Sequence, residues 1–280
     1  LTHHGARETI EGLSLGAADY VTKPTHYDNP MDALEAVRAE LVPRIRAIVR
    51  GHRAQVAASA APAHASNGTA APATPATSSS STSADDSSFD KGRGGRVDAI
   101  VIGSSTGGPN ALAEVVGRLP GNLRVPVLIA QHMPPVCTTY LARRLDGISP
   151  LAVREAVHGE PAAAGTVYIA PGDHHLVLRK TAAGADLLLD HGPPVNHCRP
   201  AVDVLFRSAA EVFGRHTLAV VLTGMGHDGR DGCAALHDLG AQVLVQDEAS
   251  SVVWGMPGAV HEAGLAQEVL PIDKVAAAIV

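Results

Sequence analysis

The sequence predicts an α/β fold, a doubly wound and mostly parallel sheet with a small antiparallel hairpin insertion. After residue 96, short apolar runs alternate with stretches of helical periodicity, which is the pattern of parallel β-α-β units. In the middle of that region, short apolar runs follow closely on one another and are joined by glycine or polar turns, as in antiparallel hairpins. Apolar residues make up 45% of the chain and aromatic residues only 3%, which is typical of an α/β core built from small and branched side chains.

The predicted elements follow this alternation along the chain. Strands are expected at 97–102, 125–130, 218–222 and 242–246, antiparallel segments at 166–170, 175–179 and 186–189, and helices at 110–119, 138–145, 200–213, directly after 229, 257–263 and 272–280. In an open parallel sheet, ligands bind at the carboxyl ends of the strands. The residues that directly follow these strands are therefore the candidates for a functional site.

Composition divides the chain into three regions. Residues 96–280 form the α/β domain. Residues 51–95 are predicted to form a flexible linker, because Ala, Ser, Thr and Pro account for 27 of the 32 residues from 57 to 88. Residues 1–50 hold too few elements to close a hydrophobic core and read as the end of a larger domain.

The segment before the linker predicts one strand and one helix. The strand is expected at 18–22. The helix is expected to begin with Asn29 as its cap and Pro30 in its first turn. Pro43 is expected to kink or break it.

Charge, hydropathy and cysteine spacing exclude several classes of function. The formal net charge is −6 with only 22 Lys and Arg residues, so no basic surface suited to nucleic acid is expected. No apolar run approaches the ~18–20 residues that cross a bilayer, and the first residues lack the layout of a secretory signal, so we expect a cytoplasmic protein without membrane insertion. Cys137, Cys198 and Cys233 are widely spaced, which argues against a disulfide framework and a zinc knuckle.

A glycine-rich segment, residues 103–108, lies between the first strand and the first helix of the α/β domain. A dinucleotide fingerprint is disfavoured because Ser105 stands where a glycine is required, and a P-loop is disfavoured because Pro109 stands where a lysine is required. The remaining match is G-x-S-x-G, a sharp turn that exposes the Ser105 hydroxyl. The structural alternative is a glycine-rich turn in which Ser and Thr cap the helix.

A nucleophilic serine needs a base and a group that orients the base. His132 follows the strand at 125–130, and Asp228 follows the strand at 218–222. Asp173 is a rival carboxylate, but it lies in a predicted turn, where Asp is common for reasons of turn geometry. Three strand ends thus carry Ser, His and Asp in that chain order.

Other histidines offer a weak case for a metal. His174 with His175 and His191 with His197 could suggest a metal site, but histidines that are adjacent in a strand point to opposite faces. We expect no metal and no cofactor.

From residue 97 onward the chain resembles the chemotaxis response-regulator protein-glutamate methylesterases. The resemblance rests on the segments 102–108, 131–134, 169–173, 192–196, 199–203, 222–229 and 255–257. It implies that Ser105 is the nucleophile, His132 the general base and Asp228 the acid of the triad. It further implies that Thr106 and Met225 are active-site neighbours, with the Met225 backbone N–H at the oxyanion site. The family often has Asn where His227 stands.

The segment at 16–24 resembles the last strand of a receiver domain, with Lys23 matching the lysine that contacts the phosphoryl group. The phosphoacceptor region is then expected upstream of Leu1. The resemblance implies hydrolysis of glutamate γ-methyl esters on cytoplasmic helices of methyl-accepting chemotaxis receptors, with glutamine deamidation in some members. It also implies contact with the chemotaxis histidine kinase through a full-length receiver domain. A small-molecule serine esterase and a non-catalytic receiver-linked interaction module remain alternatives.

Overall fold

The computed structural model describes residues 3–21, 29–60 and 96–280. Within these ranges the strands are β1 (Ala99–Ser104), β2 (Val127–Gln131), β3 (Ala152–Glu155), β4 (Thr166–Ile169), β5 (His175–Thr181), β6 (Gly184–Asp190), β7 (Thr217–Val221), β8 (Gln242–Gln246) and β9 (Glu268–Leu270). The helices are α1 (His3–Ser14), α2 (Pro30–Ala60), α3 (Gly108–Val116), α4 (Cys137–Asp146), α5 (Val202–Phe213), α6 (Arg230–Asp238), α7 (Met256–Glu262) and α8 (Ile272–Ile279). None of the described helices combines the length and the hydropathy of a membrane span.

Seven strands form one parallel sheet in the order β3-β4-β2-β1-β7-β8-β9, and β5 pairs with β6 as an antiparallel hairpin. The predicted fold class is therefore confirmed. Successive side chains of a strand point to opposite faces. Ile100 and Ile102 accordingly pack in one apolar layer with α3, α4 and α8, whereas Val101 packs in the other with α5, α6 and α7.

The antiparallel insertion is smaller than predicted. The segment 166–170 was expected to belong to it, but β4 lies in the main sheet, parallel to β2 and β3. Both of its faces are covered, with Val167 and Ile169 in one layer and Tyr168 in the other. A short apolar run has the same appearance in both kinds of strand, so the sequence could not separate them. The short strands β3 and β9 were not predicted.

The N-terminal segment departs from the sequence prediction. Residues 18–21 form no strand, and residue 22 lies outside the described residues. The cap of α2 is confirmed, because the Met31 N–H donates to Asn29 Oδ1 at 3.0 Å. The helix is not broken at Pro43 and continues to Ala60, beyond the expected start of the linker. The remainder of the expected linker, 61–95, lies outside the described residues.

Helix α1, which was not predicted, packs on α3 and α4. Its Ala6, Ile10 and Leu13 side chains belong to the same apolar layer as those two helices. The side-chain amide of Asn110, in α3, donates to the Leu13 carbonyl at 3.0 Å. The N-terminal segment therefore shares its core with the α/β domain.

The register of the sheet sets the position of the residues that follow β1 and β2. Ser104 pairs with Gln131, so Ser105 and His132 leave the sheet side by side at its carboxyl edge. The His132 N–H donates to the Ser104 carbonyl at 3.1 Å and extends the pairing by one residue. On the other side of β1, Gly103 pairs with Val221 at the end of β7.

Leu13→Ala and Leu15→Ala form a matched pair that tests the docking of α1. Leu13 is 2% exposed and Leu15 is 85% exposed. We expect Leu13→Ala to lower the free energy of unfolding by about 2–5 kcal/mol and Leu15→Ala to leave it nearly unchanged, because only Leu13 leaves a cavity. Urea unfolding of both variants measures the difference. Equal stabilities would show that α1 is not part of this core.

Candidate active site

A cavity of about 340 Å³ lies at the carboxyl edge of the sheet. Ser105, His132 and Asp228 line it, and so do Thr106 and Met225. The structure thus brings all five of the residues singled out in the sequence to one place.

The two serines of the glycine-rich segment have different environments. Ser104 is fully buried, and its hydroxyl donates to Gln131 Oε1 at 2.7 Å. Ser105 lines the cavity, and its hydroxyl has no hydrogen-bond partner among the described residues. Its backbone is fixed, because its N–H donates to the Thr223 carbonyl at 3.0 Å and its carbonyl accepts from Gln131 Nε2 at 3.0 Å. Of the two, only the Ser105 hydroxyl is free to meet a ligand.

Two glycines make this turn possible. Gly107 has φ +80°, the left-handed region that side chains disfavour, and it is the N-cap residue of α3. A Cβ on Gly103 would lie 2.3 Å from a methyl carbon of Val202, so β1 can approach the start of α5 only with glycine there. Both glycines of the G-x-S-x-G motif are therefore required, Gly103 for close packing and Gly107 for its backbone conformation.

His132 and Asp228 form a direct contact. The distance from His132 Nε2 to Asp228 Oδ2 is 2.7 Å, and the two side chains are 13% and 3% exposed. Because Nε2 faces the carboxylate, Nδ1 is the ring nitrogen left for other partners. Asp228 was weighed in the sequence against Asp173, which does not line this cavity.

Four further donors surround the Asp228 carboxylate. Oδ2 accepts from the Val202 N–H at 2.7 Å, and Oδ1 accepts from the N–H groups of Asp203 at 3.1 Å and Gly229 at 3.0 Å and from Asn196 Nδ2 at 3.0 Å. Burial alone raises the pKa of Asp228, but the hydrogen bonds, that from His132 foremost, outweigh it and lower the pKa to about 2. Asp228 is therefore a carboxylate at neutral pH.

Asp228 and Asp203 stabilise each other's helices. Asp228 precedes α6 yet accepts from the first N–H groups of α5. Asp203 lies in the first turn of α5, and its Oδ1 accepts from the N–H groups of Gly229 at 3.0 Å and Gly232 at 2.7 Å, at the start of α6. Both helices lack a capping hydrogen bond from their own N-cap side chain, so each carboxylate satisfies donors of the other helix. Burial and the neighbouring Asp228 charge raise the pKa of Asp203.

Cys198 contacts the other side of the imidazole. Its Sγ lies 3.4 Å from His132 Nδ1. Asn196 and His197, which precede it, have φ of 50° and 62°, and this left-handed pair turns the chain toward the cavity. Burial lowers the pKa of His132, but the hydrogen bonds with Asp228 and Cys198 outweigh it and raise the pKa to about 9. The carboxylate and the sulfur thus favour the protonated form of the ring.

The other sequence candidates lie elsewhere or have structural partners. Asp173 is in an exposed turn, where its carboxylate accepts from Arg199 at 2.5 Å and pairs with His191 at 3.0 Å. His175 is buried between the Pro193 carbonyl, 3.1 Å from its Nε2, and the Ala201 N–H, 3.2 Å from its Nδ1. Separately, His227 lines the cavity, and Lys23 lies outside the described residues.

The N-terminal segment supplies one wall of the cavity. The Thr106 hydroxyl donates to Asp19 Oδ2 at 2.7 Å, and Arg44 Nη1 donates to the same oxygen at 2.7 Å. Leu13, Ala18 and Tyr20 line the same wall. Asp19 thus contacts the turn that holds Ser105, and Arg44 of α2 lines the cavity and bonds to Asp19.

Sequence reasoning missed Asn196, Cys198, Asp203 and Asp19. The first three lie in the motifs at 192–196 and 199–203 or between them. These motifs indicated that the segment is important, but they did not indicate which of its side chains contacts His132 or Asp228. Nothing in the sequence signals the role of Asp19, because its contact depends on how α1 and α2 dock. Among the described residues, His132, Cys198 and Asp228 form a group whose candidate ligand atoms lie within 4.8 Å of one another. Cysteine spacing alone could not have revealed this group.

Comparisons with known proteins agree with this geometry. Residues 100–279 match the CheB methylesterase family. A protein of Caulobacter vibrioides named protein-glutamate methylesterase/protein-glutamine glutaminase 2 is 45% identical over 276 residues, which are 98% of this chain and 73% of that protein. A protein-glutamate methylesterase/protein-glutamine glutaminase of Trichodesmium erythraeum is 40% identical over 280 residues, 100% of this chain and 75% of that protein.

A solved structure shows the same fold. The crystal structure of the Thermotoga maritima CheB methylesterase catalytic domain is 44% identical in sequence, with a TM-score of 0.64, and the match covers 65% of this chain and 97% of that one. The family match spans most of the chain, and the relatives above align along nearly all of it. The chain therefore belongs to the CheB methylesterase family.

Proposed function

We propose that this protein hydrolyses γ-methyl esters of glutamate side chains in proteins and deamidates protein glutamines. The observation that carries the proposal is the cavity that the free hydroxyl of Ser105 shares with the hydrogen-bonded His132–Asp228 pair. The names of the relatives supply the substrate class. A nucleophile, a base and an orienting carboxylate are the groups that acyl transfer requires.

The reaction proceeds in two steps. The Ser105 oxygen attacks the ester carbonyl while His132 Nδ1 accepts the hydroxyl proton, and the imidazolium returns this proton to the departing methoxide to give methanol and an acyl-enzyme. Water then attacks the acyl-enzyme, with His132 taking one of its protons and passing it to the departing Ser105 oxygen. The glutamate product leaves as a carboxylate after its remaining proton passes to solvent. For glutamine the first leaving group is ammonia. Asp228 stabilises the imidazolium of both steps.

The oxyanion of the tetrahedral intermediates needs preorganised donors. Thr106 and Met225 line the cavity, and their backbone N–H groups donate no hydrogen bond within the described residues. We assign them to the oxyanion site. Thr106 follows Ser105 directly, so its N–H is held by the same turn.

The macromolecular substrate is the cytoplasmic helical region of methyl-accepting chemotaxis receptors, and the protein acts in the cytoplasm. The sequence around 16–24 supports the assignment of the N-terminal segment to the end of a receiver domain, through which a chemotaxis histidine kinase would contact the full-length protein. The docking of that segment over the Ser105 turn supports a role for it in substrate access.

Methanol release from methyl-labelled receptor tests the proposal. We expect release that depends on Ser105 and is much faster than the hydrolysis of small methyl esters. Rapid hydrolysis of small esters with no release from receptor would identify a small-molecule esterase. No hydrolysis of either would identify an interaction module.

Ser105→Ala and Ser104→Ala separate the nucleophile from its neighbour. We expect Ser105→Ala to abolish methanol release with little change in melting temperature. Ser104→Ala loses the buried bond to Gln131, so it should cost about 1 kcal/mol of stability and retain most of the turnover. Comparable losses of turnover in both variants would contradict the assignment.

The pH dependence of kcat/KM reports the base in the free enzyme. Only neutral imidazole accepts a proton, so activity should rise with pH through the His132 pKa of about 9. Cys198→Ala removes a hydrogen bond that raises this pKa, so the midpoint should move to lower pH. Rates of Ser105→Ala serve as the background for spontaneous ester hydrolysis. A profile with its midpoint at ordinary histidine values, unchanged in Cys198→Ala, would contradict this account.

Asp228→Asn tests the orienting carboxylate. Both oxygens of Asp228 accept hydrogen bonds, so an amide NH₂ group must face a donor whichever way it turns. We expect turnover to fall by as much as ~10⁴-fold and stability by about 1–3 kcal/mol. Asp173→Asn is the control and should keep turnover, because Asp173 lies in an exposed turn outside the cavity. Normal turnover in Asp228→Asn would remove Asp228 from the mechanism.

A further inference from the structure

Cys198 and His132 present two metal-ligand atoms at a suitable separation. Sγ and Nδ1 are 3.4 Å apart. A tetrahedral zinc ion with bonds of about 2.3 Å to sulfur and about 2.0–2.1 Å to nitrogen holds two such atoms about 3.5 Å apart. The two side chains could bind one ion with little movement.

Asp228 prepares the imidazole for such a role. Its carboxylate contacts Nε2 at 2.7 Å and so favours the tautomer with the proton on that nitrogen. The lone pair of the neutral ring is then on Nδ1, which faces Cys198. A metal-binding histidine usually donates its other ring N–H to a carboxylate, a backbone carbonyl or water. Asp228 already accepts from four other donors, so it would act from behind the histidine rather than as a ligand.

The donor set selects the kind of ion. A thiolate and an imidazole favour zinc and other thiophilic cations over magnesium or calcium, which prefer oxygen ligands. The cavity beside the pair is open to water, which can fill the remaining positions, and His197 also lines it. Cys137 and Cys233 are buried and do not line this cavity.

We propose that Cys198 and His132 form a binding site for a thiophilic divalent cation such as Zn²⁺, and that the bound cation inhibits hydrolysis. Binding releases the thiol proton, and any proton on Nδ1, to solvent. The cation then occupies the lone pair that must accept the Ser105 proton. Inhibition rests on the proposed hydrolytic function, whereas binding of the cation does not.

Absorption of the Cd²⁺-loaded protein tests for sulfur ligation. The chain has 15 histidines that can bind metal weakly, so a thiolate-to-cadmium charge-transfer band is more specific than total metal content. We expect the band in the unaltered protein and in Cys137→Ser, and its loss in Cys198→Ser. A band of full intensity in Cys198→Ser would overturn the proposal.

A second measurement needs no substitution. Saturating Zn²⁺ should slow the alkylation of Cys198 by iodoacetamide, as followed by peptide mass spectrometry, because the thiolate that reacts with the reagent is the group that binds the cation. An unchanged rate at saturating Zn²⁺ would overturn the binding proposal.

Turnover separates binding from inhibition. Zn²⁺ should inhibit the unaltered protein, and Cys198→Ser should need more than about tenfold higher Zn²⁺ for the same inhibition. Equal sensitivity would overturn the inhibitory role. A Cys198-dependent cadmium band in a protein that releases no methanol would refute the proposed function and leave the metal site standing.

Discussion

The Asp228 carboxylate is the interaction on which the site depends. Backbone N–H groups from the first turn of α5 and the Asn196 amide hold it on one side, and His132 lies on the other. An anion held by that many donors stays ionised and cannot rotate, so the imidazole keeps one orientation and one tautomer. Because Asp203 makes the converse contact from α5 to α6, the start of both helices and the base of the site are one hydrogen-bonded unit.

The parallel sheet and the positions of Ser105, His132 and Asp228 could be predicted because their signals are local. Each follows an apolar run, and parallel strands bring their carboxyl ends to one edge. The contacts of Cys198 with His132 and of Asn196 with Asp228 could not be predicted. They depend on left-handed backbone at residues 196 and 197, and neither residue is a glycine that would indicate this conformation in the sequence. The direction of β4 and the docking of α1 depend on long-range packing, which a short apolar run does not encode.

The cavity is assembled from two parts of the chain that are distant in sequence. Asp19 accepts a hydrogen bond from the Thr106 hydroxyl in the turn after β1, and Arg44 donates to the same carboxylate oxygen. Leu13 anchors the same segment in the apolar layer with α3 and α4. Hydrogen bonds to a charged group contribute about 1.5–3 kcal/mol each, whereas burial of α1 involves several side chains. The apolar contacts of α1 therefore hold the N-terminal segment against the α/β domain. The hydrogen bond between Thr106 and Asp19 fixes the position of that segment relative to Ser105.

Ser105 and His132 each follow the last paired residue of their strands, β1 and β2. An insertion or deletion of one residue in either strand would turn its buried side chains to the opposite face of the sheet. No such restriction applies to the turn of the β5–β6 hairpin, where Gly184 has open space around it. Divergence in chain length within this fold should therefore accumulate at the hairpin tip and at the amino-terminal edge of the sheet. At the carboxyl edge, by contrast, the pairing of β1 with β2 fixes the residue count.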